Sequence, residues 1–232
     1  MRRFPRGESP GRICIPIVEM TVEESLMAVK AANRLADLIE LRVDYLRKPE
    51  LEPLLRARGK PFIVTNRRKE EGGKFRGGEK ERVEILQRAV DLGAAYVDVE
   101  MGSARRLLHN LIKNKEETRV ILSFHDFGGT PSPGALRALC GRMMRYGVDV
   151  LKIATFARTF EDNLKVLSLI PYARERMWEI VAFCMGGKGK MSRIFAPFMG
   201  SAWTYASLNK KRASAPGQLT VLEMREIWER LR

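Results

Sequence analysis

A lysine set inside an apolar, β-rich run is the residue with the clearest chemical potential: Gly147-Val148-Asp149-Val150-Leu151-Lys152-Ile153-Ala154-Thr155. Such a run predicts a strand buried on both faces. Alternation then puts Val150, Lys152 and Ala154 on one face and Leu151 and Ile153 on the other. Burial disfavours the charged ammonium, and a lysine held neutral is a nucleophile that can attack a ketone and form a Schiff base. The competing reading is a lysine that reaches water from the strand end, or one that pairs with a carboxylate. The strand by itself leaves both open.

Other chemistry-bearing residues also fall at the ends of apolar runs. Ser123-Phe124-His125-Asp126 follows Arg119-Val120-Ile121-Leu122 and carries one of the two histidines. An imidazole titrates near neutrality, so His125 just past a strand is placed for acid–base work. The second, His109, lies in a helical stretch, Arg105 to Asn110, and reads as a surface or packing residue. Glu40 and Arg42 are two apart on one face of a strand, as a ligand-binding pair or as an ion pair closing the end of the sheet. Arg67 keeps the parity of Thr65, but Arg67-Arg68-Lys69-Glu70-Glu71 has the composition of a solvated charge run. Two glycine-rich stretches, Gly72 to Gly78 and Gly186 to Met191, lack the Lys-Ser/Thr ending of a phosphate-binding loop and read instead as mobile loops near a site. Cys14, Cys140 and Cys184 are far apart and fit no metal spacing, so they read as buried, reduced thiols.

The elements that must position these groups alternate regularly. Strands are expected at 12–18, 38–43, 61–65, 96–100, 119–124, 147–155, 178–185 and 202–206. Helices are expected after Thr21, with Glu24 three residues on; from Lys48-Pro49; from Glu79 to about Leu92; and after Ser103. Further helices run from Thr130-Pro131-Ser132-Pro133 to Tyr146, from Thr159 to near Tyr172, and from Thr220 to Arg232. Strand and helix in alternation imply parallel strands. Eight such units in 232 residues fit a single (β/α)8 TIM barrel, residues 1–232, with a doubly wound open sheet as the alternative. In a barrel, Glu40, Arg42, Arg67, His125 and Lys152 meet at the carboxyl ends of the strands.

Composition narrows the function classes. The net charge is +14, from 42 Lys and Arg against 28 Asp and Glu, which favours anionic partners. No block of like charges forms a basic tail, so a small acid fits better than nucleic acid. The basic opening Met1-Arg2-Arg3-Phe4-Pro5-Arg6 is followed by polar residues, and the apolar run Ile13 to Val18 is short and contains Pro16. Neither reads as a secretion signal or a membrane span, and a cytoplasmic protein is expected.

Taken together, Glu40-Leu41-Arg42-Val43-Asp44, Thr65-Asn66-Arg67 with Glu71-Gly72-Gly73, Ser123-Phe124-His125-Asp126-Phe127, Leu151-Lys152-Ile153-Ala154, Met185-Gly186 with Ser192-Arg193, and Ser214-Ala215-Pro216-Gly217-Gln218 make the chain resemble type I 3-dehydroquinate dehydratase. Each motif is short, but their shared order spans nearly the whole chain. Pro16 is a departure, since some relatives carry a serine there. The resemblance implies dehydration of 3-dehydroquinate to 3-dehydroshikimate on the route to aromatic amino acids, without metal or organic cofactor. It implies that Lys152 forms the imine, that His125 moves the protons and that Glu71 orients it. It further implies that Arg193 clamps the substrate carboxylate, that Glu40, Arg42 and Arg67 bind hydroxyls, and that Ser214 and Gln218 form a lid. A stand-alone enzyme, a homodimer, and no nucleic-acid or membrane partner are expected. Arg193 is expected in a glycine-rich loop, and the arginines around Lys152 are expected to favour its neutral form. Another Schiff-base barrel enzyme of the class I aldolase type, and a basic nucleic-acid-binding protein, are the rival readings.

Overall fold

A computed structural model describes residues 11–57 and 59–231; the basic opening Met1 to Arg6 and the final Arg232 lie outside the described residues. The strands are β1 Ile13–Ile17, β2 Leu38–Arg42, β3 Phe62–Thr65, β4 Tyr96–Glu100, β5 Arg119–Asp126, β6 Val150–Phe156, β7 Glu179–Met185 and β8 Thr204–Tyr205. The helices are α1 Val22–Ala32, α2 Leu51–Leu55, α3 Glu79–Asp91, α4 Arg105–Lys113, α5 Pro133–Met144, α6 Asp162–Leu167, α7 Leu169–Arg174, α8 Lys190–Met199 and α9 Val221–Arg230. Every paired strand is parallel to its neighbour, in the order β7-β6-β5-β4-β3-β2-β1-β8. The remaining seam, between β7 and the approach to β8, is held by the Ala202 N–H donating to the Ile180 carbonyl at 2.8 Å. The molecule is therefore the expected eight-stranded barrel rather than an open sheet.

The period-two alternation of the strands builds two cores. Outward residues such as Leu41, Val64, Val97, Leu122, Leu151 and Ile153 pack under the helices. Inward residues fill the barrel, and their chemistry changes along each strand. The floor is apolar: Cys14, Leu38, Ile63, Tyr96, Ile121, Val150, Val181 and Trp203 form one cluster. Two residues further along, the inward positions of β2 to β6 become Glu40, Thr65, Asp98, Ser123 and Lys152. Two further still lie Arg42, Glu100 and His125. A dry floor and a charged mouth thus follow from where polar residues sit along each strand, because parity keeps them all pointing inward.

Several helix starts differ from expectation. Ser103 does not cap α4; its hydroxyl accepts from Arg82 Nη2 at 2.7 Å, and Ala104 stands at the cap. Thr159 does not cap the helix after β6. That helix starts at Asp162, whose carboxylate accepts the N–H groups of Arg158 and Thr159 at 2.8 and 3.0 Å. It is also broken into α6 and α7 at Ser168, where Pro171 has no N–H to return to the Leu167 carbonyl. The helix expected from Lys48-Pro49 begins two residues later, at Leu51. Thr21 caps α1 by accepting from the Glu24 N–H at 3.2 Å, but Glu24 returns to the Met20 N–H, so only half of the expected box forms. Thr220 caps α9 with a full box to Glu223. Finally, α8 replaces a presumed loop: after one 3-10 turn at Gly187–Gly189 the chain runs helical through Arg193.

Candidate active site

The mouth of the barrel encloses a cavity of about 260 Å³ lined by Glu40, Arg42, Arg67, Glu71, His125, Lys152, Arg193, Ser214 and Gln218, together with Tyr45, Lys74, Phe127, Phe183, Met185 and Tyr205. All nine residues singled out from the sequence therefore meet in one place. Three strands (β2, β5 and β6), α8 and the loops after β3 and β8 bring them there.

Lys152 is 3% exposed and lines this cavity. Its Nζ donates to Asp98 Oδ2 at 2.7 Å and to Glu40 Oε1 at 3.1 Å, and lies 4.4 Å from the centroid of the Tyr205 ring. The immediate charges around the amine are thus carboxylates, not the arginines expected. Of the two readings of a buried lysine, the paired one describes this state. Asp98 is the residue that sequence reasoning missed. Burial alone would raise its carboxyl, but Arg67 and Lys152 outweigh burial and hold it well below the ordinary range. The signal was present: Asp98 and Glu100 are acidic residues two apart on a strand with no exposed position.

Arg67 is not a solvated charge. It is 3% exposed and donates from Nη2 to Asp98 at 2.8 Å and from Nη1 to Glu100 at 2.8 Å and Ser123 Oγ at 2.6 Å. Arg42 does not pair with Glu40. It forms a two-pronged bridge to Asp44, both contacts at 2.8 Å, and lies over the Tyr45 ring. Glu40 instead accepts from Thr65 Oγ1 at 2.9 Å as well as from Lys152. Asp44 also accepts the Lys74 backbone N–H at 3.0 Å, which pins the long loop after β3 against the mouth.

His125 belongs to β5, which runs two residues further than expected. One oxygen of Glu71, Oε2, faces both its backbone N–H at 3.0 Å and its ring Nδ1 at 2.9 Å. An oxygen that accepts a backbone N–H is best met by a ring N–H at Nδ1, which leaves the lone pair on Nε2. Burial, with Arg67 and Lys152 nearby, drives the imidazole well below its ordinary pKa, and burial pushes the Glu71 carboxyl up to about 7. Near neutrality the histidine is therefore the uncharged, proton-accepting member of the pair.

Arg193 is fully buried, and its three guanidinium nitrogens have no hydrogen-bond partner among the described residues. The guanidinium lies 4.2 Å from the Phe183 ring centroid, and burial lowers its pKa to about 10. An unpaired buried cation is costly, and one aimed into a cavity is a ready partner for an anion. The rim is completed by the chain after β8. Ser214 donates from its N–H and its hydroxyl to Gln218 Oε1, at 2.8 and 3.2 Å, while Gln218 Nε2 is buried with no partner among the described residues. The Gly186 N–H donates to the Pro216 carbonyl at 3.0 Å and clasps this loop to the end of β7. Gly217 has φ +76°, and a side chain there would collide with the Gly186 carbonyl oxygen.

Comparison with known proteins accords with this geometry. A Dehalococcoides mccartyi 3-dehydroquinate dehydratase is 38% identical over 216 residues, covering 93% of this chain and 94% of the relative. A Methanococcus maripaludis 3-dehydroquinate dehydratase is 36% identical over 219 residues, covering 93% and 97%. Among solved structures, the 3-dehydroquinate dehydratase of Geobacillus kaustophilus superposes with a TM-score of 0.88 at 28% identity, covering 97% of this chain and 91% of that one. The model of the family described as type I 3-dehydroquinase matches residues 13–231, from the first strand through the last helix, and this chain belongs to that family.

Proposed function

We propose that the chain, as one catalytic domain, dehydrates 3-dehydroquinate to 3-dehydroshikimate through a Schiff base on Lys152. One observation carries the reading: a buried lysine, a histidine whose Nδ1 is held by Glu71, and a buried arginine with no partner among the described residues line the same small cavity. The substrate is a carboxylate with a ring ketone and several hydroxyls. Arg193 clamps the carboxylate, where its fork of donors matches two oxygens. Glu40, Arg42 and Arg67 bind hydroxyls, and Ser214 and Gln218 close over the ring and exclude water.

The chemistry then runs in balanced steps. Lys152 passes a proton to a neighbouring carboxylate, its free amine adds to the ketone carbon to give a carbinolamine, and the carboxylate returns that proton to the carbinol hydroxyl, which leaves as water to give the iminium. The iminium withdraws electrons from the adjacent C–H bond, and His125 Nε2 takes that proton. Glu71, at Nδ1, steadies the imidazolium so formed. The enamine expels the β-hydroxyl, which leaves as water with the proton from His125. Addition of water to the imine returns the conjugated enone and the free lysine. The net change is the loss of one water, and no oxidant or metal is called for.

Absorbance of the conjugated enone after 3-dehydroquinate is added tests the reaction. Borohydride added during turnover tests the covalent step: a substrate-sized mass is expected on the peptide containing Lys152, and Lys152→Ala takes no label and loses nearly all activity. A label on another lysine, or no inactivation at all, sinks the Schiff-base reading. We read the protein further as a cytoplasmic homodimer. Its three cysteines are free and buried, which suits a reducing compartment, and sedimentation equilibrium measures the oligomeric state.

A further inference from the structure

The charges at Lys152 continue outward through the barrel wall. The Asp98 oxygen that accepts from Lys152 also accepts from Arg67, and the other arm of Arg67 donates to Glu100 Oε1. The second oxygen of Glu100 accepts from Arg82 Nη1 at 2.6 Å. Arg82 lies on α3, is 2% exposed, and does not line the cavity. Its remaining donors go to the Asn66 carbonyl at 2.9 Å, Ser103 Oγ at 2.7 Å and Glu79 at 3.2 Å. Lys152, Arg67 and Arg82 thus face Glu40, Asp98 and Glu100, three buried cations against three buried carboxylates, with the part-exposed Glu79 at the outer end of Arg82.

We propose that Arg82 is a positioning residue for the Lys152 amine, acting through Glu100, Arg67 and Asp98. The proposal rests on Lys152 as the nucleophile. Without Arg82 the cluster carries one uncompensated negative charge in a low-dielectric interior. Glu100, with one cation fewer, draws Arg67 towards itself. Asp98, with a weaker share of Arg67, then grips the Lys152 ammonium more firmly. The amine gives up its proton less readily and is pulled from the cavity. The other groups facing Lys152 are Glu40 from β2, Cys14 from β1, His125 from β5 and Tyr205 from β8. Glu71 faces Arg67 and Glu100 from the loop after β3. All of these are unchanged in the variants that test the idea.

The readout is the pH dependence of Lys152 acylation by acetic anhydride, quantified on the Lys152 peptide by mass spectrometry. It needs no substrate, so it separates this inference from the proposed reaction: failed borohydride trapping sinks the reaction, whereas the labelling midpoint judges the relay. Arg82→Met should move the midpoint up by about one pH unit, the scale of one unbalanced charge in such an interior. Glu100→Gln, which removes a negative charge, should move it down. The double variant restores the balance and should return it close to the parent. If Arg82→Met fails to fold, Glu100→Gln alone decides. An unmoved midpoint in the folded variants, with activity lost equally at every pH, makes Arg82 merely structural and overturns the proposal.

Discussion

At the scale of single residues, the site sets two buried groups in states that cost the fold something. Arg193 holds an unpaired charge, so Arg193→Met should leave the ligand-free protein as stable as the parent or more so, measured by urea unfolding. Substrate binding should weaken by about 2–5 kcal/mol, seen as a raised KM, because a buried carboxylate loses its partner. His125→Ala should still be trapped by borohydride, since imine formation and proton abstraction are separable, but turnover should fall by about 10²–10⁴-fold. Glu71 carries a pH signature. Burial raises its carboxyl from 4.5 to about 7, so the protonated form is favoured in the folded state. Its contribution to stability is therefore fully present below 4.5 and is lost as pH rises through about 7. Glu71→Gln cannot titrate, so the stability of the parent relative to this variant should fall across that window. His125, held low by burial, trends the opposite way: its contribution is present above the ordinary imidazole range and is lost as pH falls. Because Glu71 touches the His125 ring, the comparison is made in a His125→Ala background, where no imidazole titrates.

At the scale of elements, the rim after β8 is set by a backbone clasp rather than by side-chain packing. Gly217→Ala forces the left-handed position and drives a methyl group into the Gly186 carbonyl. The clasp should open, lowering kcat/KM at least tenfold while the unfolding midpoint moves little, because the loop lies over the barrel and not within its core. The start of α9 is different, since a full capping box between Thr220 and Glu223 closes its first turn. Thr220→Ala should cost about 1 kcal/mol in urea unfolding and leave kcat unchanged.

At the scale of the whole molecule, the net charge is +14, and the mouth holds Arg193, whose guanidinium has no hydrogen-bond partner among the described residues. Such a field draws in a small anion over distances that salt screens. Raising ionic strength from about 0.01 to 0.15 M, a range over which the Debye length falls from about 30 to 8 Å, should lower kcat/KM and leave kcat unchanged. A kcat/KM that ignores salt would show that the surface charge plays no part in capture.

Which residues share a face of β2, β3, β5 and β6 was legible in the chain because parity is a local property. Once a run is long enough to be a strand, its alternate residues share a face whatever lies around it. Lys152, His125, Arg67, Glu40 and Arg42 could therefore be placed at the strand ends from spacing alone, and the eightfold alternation named the barrel. What the sequence could not supply were the partners. Lys152 is 54 residues from Asp98 and 112 from Glu40, and nothing local says that carboxylates rather than arginines flank it. The same limit applies to Ser103 and Arg193. Ser103 has the composition of a helix cap, yet it is taken by Arg82, a residue 21 positions away. Arg193 follows a run of glycines, yet its chain is helical because α8 packs against β7 and β8. The facing of residues along a strand is decided by neighbours in the chain, and element type mostly so, with α8 the exception. Ion pairing in a barrel is decided by which strand ends the closed sheet brings together, and that exists only once the ring is formed.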